Sequence, residues 1–131
     1  PLATGERLYT RYAFREVLEK QIVAYIQPDL CHCGGFNEGR KIAAMAEPYH
    51  VKVCPHNPNG PISTLVGAHF GACTANFEML EMMRPDSPRA DLSPLFDQMP
   101  APEDGFLEVP DRPGWGVELT KDFLSKFPPE D

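Results

Sequence analysis

Residues 22–35 read IVAYIQPDLCHCGG, and this stretch decides the fold. Its first half is a continuous apolar run with β-branched and aromatic members, the pattern of a strand buried on both faces. Asp29 closes the run. Gly34-Gly35 then turns the chain into FNEGRKIAAMAEPY, a helix with Ile42, Met45 and Ala46 as its apolar stripe and Asn37 as the expected N-cap. A buried strand that ends on a carboxylate and passes through a glycine turn into a helix is one unit of a parallel α/β structure.

The unit repeats on both sides. Upstream, LATG is a short apolar run ahead of the helical TRYAFREVLEKQ, in which Tyr12, Val17 and Leu18 are spaced among charges. Downstream, HVKVCP reads as a strand, GPISTLVGAHFGACTA as a helix opened by Gly60-Pro61, and NFEMLE as a fourth strand. Each strand ends on an ionisable residue: Glu6, Asp29, His56 and Glu81. They stand about 25 residues apart, which suits the units of a (β/α)8 barrel and also those of a doubly wound sheet. Four polar groups at four successive strand ends favour the barrel, which gathers them around one axis. In the last strand, alternation puts Phe77, Met79 and Glu81 on one face and Glu78 with Leu80 on the other, and the charge of Glu78 has no evident reason.

The expected fold is therefore α/β, the C-terminal half of a (β/α)8 TIM-type barrel with about four βα units in residues 1–83. A wrapping segment occupies residues 84–131. Within it the proline-rich run through residue 104 reads as loop, GFLEVP as a short strand, DRPGWGVEL as a turn, and TKDFLSKF as a last helix capped by Thr120 and stopped by PPED. Four strands cannot close an eight-strand barrel, and PLATGE opens in mid-pattern. The expectation is the C-terminal part of a longer polypeptide rather than a two-chain assembly.

Composition narrows the partners. The 131 residues carry a formal net charge of −7, with a pI near 5.0 and no basic patch. That argues against nucleic acid and against an anionic membrane surface. No apolar run approaches the roughly 20 residues of a membrane span, and the N-terminal residues lack the marks of a signal peptide. Cys31 and Cys33 are too close to bridge each other comfortably, while Cys54 and Cys73 sit in apolar patterns. Free, mostly buried thiols of a cytoplasmic protein are expected. Cys31, His32 and Cys33 are the residue types of a metal site.

The segments PLATGERLYTRYAFREVLE, IQPDLCHCGGFNEGRKIAAMAE, CPHNPNGPIS and NFEMLE together resemble the mandelate racemase-type branch of the enolase superfamily. The likeness is strongest to its sugar-acid dehydratases of the D-galactonate dehydratase type. It runs through residue 81 and resumes in GFLEVPDRPGWGVEL, similar to the family's C-terminal segment that returns toward a capping domain.

The resemblance implies a Mg²⁺-dependent enzyme that takes the proton beside the carboxylate of a sugar acid (an aldonate) and then loses the C3 hydroxyl, giving a 2-keto-3-deoxy acid. Glu6 matches one of three carboxylates that hold the Mg²⁺, the other two lying upstream. Asp29 and His56 match an Asp-His dyad with His56 as base. Glu81 matches a glutamate that donates, as a neutral acid, to the bound carboxylate. His32 stands at the rim, as a substrate contact or as loop filling. Hard Mg²⁺ has little use for the thiolates of the Cys-His-Cys triplet. Racemisation, cycloisomerisation or an inactive truncated remnant are the rivals, and a homo-oligomer is expected of the full-length enzyme. His50 and His69 read as structural, Arg7 and Arg11 as solvated, and Tyr9, Tyr12 and Phe14 as helix packing.

Overall fold

β1 (Ala3–Thr4), β2 (Tyr25–Ile26) and β3 (Lys52–Val53) form a parallel sheet in the order β1-β2-β3. The computed structural model describes residues 1–83, 95–126 and 128. About half of the proline-rich loop expected up to residue 104 falls on 84–94, outside the described residues, as do Phe127 of the expected last helix and the stop at 129–131. The register sets Ala3, Tyr25 and Lys52 in one row and Thr4, Ile26 and Val53 in the next.

Each crossover is helical. α1 (Thr10–Glu19) joins β1 to β2, and α2 (Phe36–Ala46), with the single turn Glu47–Tyr49, joins β2 to β3. α3 (Pro61–Ala72) follows β3 and returns the chain to Phe77, which bridges Val53 in parallel. Neighbours in the sheet are neighbours in sequence. That is the winding of a barrel arc, whereas a doubly wound sheet reverses at its switch point. The result is an incomplete, unclosed parallel sheet with flanking helices, consistent with part of a (β/α)8 barrel.

The core fills the space between sheet and helices. Phe14 and Leu18, one turn apart on α1, meet Ile42 of α2, Phe70 of α3 and the strand residues Ile26 and Val53, all fully or almost fully buried. Because Ile26 and Val53 point to the helices, Tyr25 and Lys52 point to the opposite face, which is only half-covered or exposed. The expected burial of β2 on both faces thus holds for one face only. Tyr9 and Tyr12 are likewise exposed rather than packed. Tyr12 lies under the Arg11 guanidinium, 4.6 Å from ring centre to Cζ, outside the core.

Arg11 is not merely solvated. Its main-chain N–H donates to Glu38 Oε1 at 2.9 Å, and its guanidinium reaches both Glu38 oxygens at 3.0 and 2.8 Å. Glu38 therefore serves as an acidic cap on α1 from the neighbouring helix. The Arg11 N–H, then the Arg11 and Lys41 charges, hold its carboxyl below the usual carboxylate range. Asn37 does not cap α2. Gly35, at φ 85°, is the N-cap, because that left-handed conformation lets the turn after Asp29 run straight into the helix.

The expected fourth strand is reduced to one bridge. Asn76 donates both amide hydrogens at 3.0 Å, to the carbonyls of Ala43 and Val51, and its own carbonyl accepts from Val53 N–H. Phe77 and Leu80 both reach α3, where a Cβ on Gly71 or Gly67 would stand 2.9 or 2.6 Å from them. Two contacts three residues apart break the expected alternation. Glu78 gains a reason: its Oε2 lies 3.8 Å from Lys52 Nζ on the neighbouring strand.

In the C-terminal segment Phe96 and Leu119 pair antiparallel, and Trp115 packs on Phe36 and His69 at centroid distances of 5.8 and 5.5 Å. GFLEVP is not a strand. Glu103 and Phe106 pair across Asp104-Gly105, both at positive φ, a two-residue hairpin turn that leaves Phe106 exposed. α4 (Lys121–Lys126) is capped as expected, with Phe123 N–H donating to Thr120 Oγ1 at 3.3 Å. Among the described residues no helix is long and apolar enough to cross a membrane.

Ile42 joins both layers of the core, so Ile42→Ala should lower unfolding free energy by about 2–5 kcal/mol. Urea denaturation measures this, and a loss under about 1 kcal/mol would contradict a core centred between α2 and the sheet.

Candidate active site

Three strand ends deliver three ionisable groups to one edge of the sheet. Gly5 adopts φ 138°, and a Cβ there would lie 2.8 Å from Phe14 Cε1 and 2.9 Å from the Gln27 nitrogen. Only glycine suits this turn, which brings Glu6 out directly beyond β1. Asp29 follows β2 and folds its loop around itself. Its carbonyl accepts from the N–H groups of His32 and Cys33 at 3.0 and 2.7 Å, and its Oδ1 from Cys31 N–H at 2.8 Å. His56 follows β3 in the same way.

The Asp29 side chain has no exposed surface. Its Oδ2 accepts from His56 Nδ1 at 3.0 Å and from Asn59 Nδ2 at 3.2 Å, with His32 Nδ1 at 3.6 Å. An ionised carboxylate can only accept, so Nδ1 carries a hydrogen, and Nε2 on the other side of the ring faces Glu6. Nε2 lies 3.4 Å from Glu6 Oε2, an ion pair whenever the ring is protonated. Glu81 joins through the next residue, its Oε2 accepting from Asn57 N–H at 3.0 Å. Glu6, Asp29 and His56 thus form one chain of contacts with Glu81 beside it. His32 is half-exposed at the border.

Asn57, Asn59 and Thr64 are the site residues that sequence reasoning misses. In PHNPNGPIS the two asparagines look like turn formers, and no periodicity marks them as donors. The cysteines are free, but not mostly buried. Cys31 and Cys73 are exposed because each lies at a chain reversal, after Asp29 and at the end of α3. Cys33 is buried, and burial, followed by the Asp29 charge, pushes its thiol up to about 11.

For a hard divalent cation the chain offers Glu6, a half-exposed carboxylate with spare lone pairs. Both Asp29 oxygens already accept hydrogen bonds. Among the described residues there is no group of three or more His, Cys, Asp or Glu able to hold a metal ion. Glu6 fits as one ligand and needs others from elsewhere.

Residues 1–123 match the family described as enolase C-terminal domain-like. The D-galactonate dehydratase of Variovorax paradoxus is 38% identical over 140 aligned positions, covering 99% of this chain and 36% of that enzyme. An enolase of Agrobacterium radiobacter, solved with sodium and L-malate bound, is 41% identical with a TM-score of 0.84 over 95% of this chain and 35% of its own. An enolase superfamily member from Salmonella Typhimurium is 40% identical, with a TM-score of 0.86 over 96% of this chain and 32% of its own. The chain spans about a third of the length of these relatives.

Iodoacetamide near pH 8 should label the exposed Cys31 and Cys73 well before Cys33, because the reactive thiolate of Cys33 becomes abundant only as pH approaches about 11. Peptide mass spectrometry reads the order, and early labelling of Cys33 would contradict its burial beside Asp29.

Proposed function

The chain belongs to the enolase superfamily, in its mandelate racemase/muconate lactonizing branch, and on that premise we propose that it carries the proton-abstracting side of a Mg²⁺-dependent sugar-acid dehydratase of the D-galactonate dehydratase type. The observation that carries this reading is the Asp29–His56 pair, 3.0 Å between Oδ2 and Nδ1, which occupies Nδ1 and leaves Nε2, on the Glu6 side, as the nitrogen that can take a proton.

The substrate is an aldonate, bound by its carboxylate. His56 Nε2 takes the hydrogen from C2 as a proton. Asp29 keeps the ring in the competent tautomer and stabilises the imidazolium that results. Glu81, in its neutral form, donates a hydrogen bond to the substrate carboxylate as negative charge builds on it. Loss of the C3–OH bond, with a proton delivered to the departing oxygen, gives an enol that becomes the 2-keto-3-deoxy acid. The acid for that step comes from outside the described residues. Glu6 is one of the carboxylates that hold Mg²⁺, and the bound ion supplies charge stabilisation that makes the C2 proton removable. His32 contacts the substrate from the rim.

In the same reading residues 1–83 are the second half of the catalytic barrel, and residues 84–131 return toward a capping domain. The full-length enzyme is a cytoplasmic homo-oligomer, a setting that suits four free thiols. Racemisation shares the first proton transfer and differs in product. Incubation with D-galactonate and Mg²⁺ separates the two, since inversion at C2 without elimination would replace the dehydratase reading.

In the full-length enzyme His56→Asn should abolish exchange of the C2 hydrogen with solvent deuterium, followed by proton NMR. Asp29→Asn should lower kcat about 10²- to 10⁴-fold by releasing the tautomer. Exchange that persists in His56→Asn would move the base elsewhere.

A further inference from the structure

Asn57 follows His56 directly and is 1% exposed. Its Nδ2 donates to Thr64 Oγ1 on α3 at 2.9 Å and to the main-chain carbonyl of Glu81 at 2.9 Å. Its main-chain N–H donates to Glu81 Oε2 at 3.0 Å. The Glu81 carbonyl can only accept, so the orientation of the amide is fixed. In that orientation Asn57 Oδ1 is buried with no hydrogen-bond partner among the described residues. Leaving a buried acceptor unmatched is unfavourable, so packing does not account for this side chain, and its two donors do.

Glu81 needs such support. It is exposed and lies beyond a segment that meets the sheet at one bridge. Among the described residues, its hydrogen bonds are those made by Asn57. We propose that Asn57 is a positioning residue that clamps Glu81, main chain and carboxylate together, to the loop carrying His56, with Thr64 anchoring the clamp to α3. Base and acid are then set as one unit. The link to catalysis rests on the function proposed above, whereas the clamp is a matter of geometry alone.

The test uses the full-length enzyme and the variants Asn57→Ala, Thr64→Val and Thr64→Ser. Because Glu81 acts on charge that builds during reaction, Asn57→Ala should lower kcat about 10- to 100-fold with KM nearly unchanged. Combined with Glu81→Gln it should cost little more than Glu81→Gln alone. Thr64→Val, which keeps the shape, should lower kcat in the same direction, and Thr64→Ser, which keeps the hydroxyl, should restore it. In a crystal structure of Asn57→Ala the Glu81 carboxylate should leave the residue-57 N–H while the Asp29–His56 contact stays. This last readout needs no turnover, so it judges the clamp even if the dehydratase reading fails. If Asn57→Ala does not fold, the Thr64 pair decides. Unchanged kcat in the folded variants, independent multiplication of the Asn57 and Glu81 effects, or an unmoved Glu81 carboxylate would each overturn the proposal.

Discussion

Asp29 is a carboxylate with no side-chain exposure, and the site is arranged around the donors that make such burial tolerable. Cys31 N–H satisfies one oxygen, and His56 with Asn59 satisfies the other. These donors come from two different loops, one after β2 and one after β3. Satisfying Asp29 therefore holds both loops to the same point and selects the ring nitrogen of His56 that carries the hydrogen. Remove Asp29, and the imidazole keeps its place in the chain but loses the partner that sets its tautomer.

The sheet explains why these groups meet at all. Parallel strands in sequential order bring every strand end to the same edge, and helical crossovers on one side leave that edge open. Strands of two residues suffice, because Phe14, Ile42 and Phe70 hold the helices onto Ile26 and Val53. Among the described residues the opposite face, with Tyr25 and Lys52, has less cover, and no group of three or more His, Cys, Asp or Glu could hold a metal ion. The sheet is unclosed, in a chain that spans about a third of the length of its relatives.

Much of this is legible in the sequence, for identifiable reasons. The strand runs ending ahead of Asp29 and His56 show because apolar runs and strand ends leave strong local marks, although burial holds for one face only. Glu6 shows as the ionisable end of the first of four similarly spaced strand runs. Asn57 and Asn59 do not show, since an asparagine in a proline-rich loop reads as a turn former until its long-range partners are known. The fourth strand misleads because Phe77 and Leu80 obey packing against Gly71 and Gly67 on α3 rather than strand alternation. Arg11 misleads because its partner, Glu38, lies one helix away. GFLEVP misleads because its first residue, Gly105, and the preceding Asp104 take positive φ and close a tight turn.

The central claim is that Asp29 fixes His56 with a hydrogen on Nδ1, so that Nε2 is the nitrogen that takes a proton. Nitrogen-15 NMR of histidine-labelled protein reads this directly, through the shifts of the two ring nitrogens and their couplings to ring hydrogens. A neutral His56 ring protonated on Nδ1, with that preference lost in Asp29→Asn, is the result the account predicts. A ring protonated on Nε2 in the wild-type protein would contradict it.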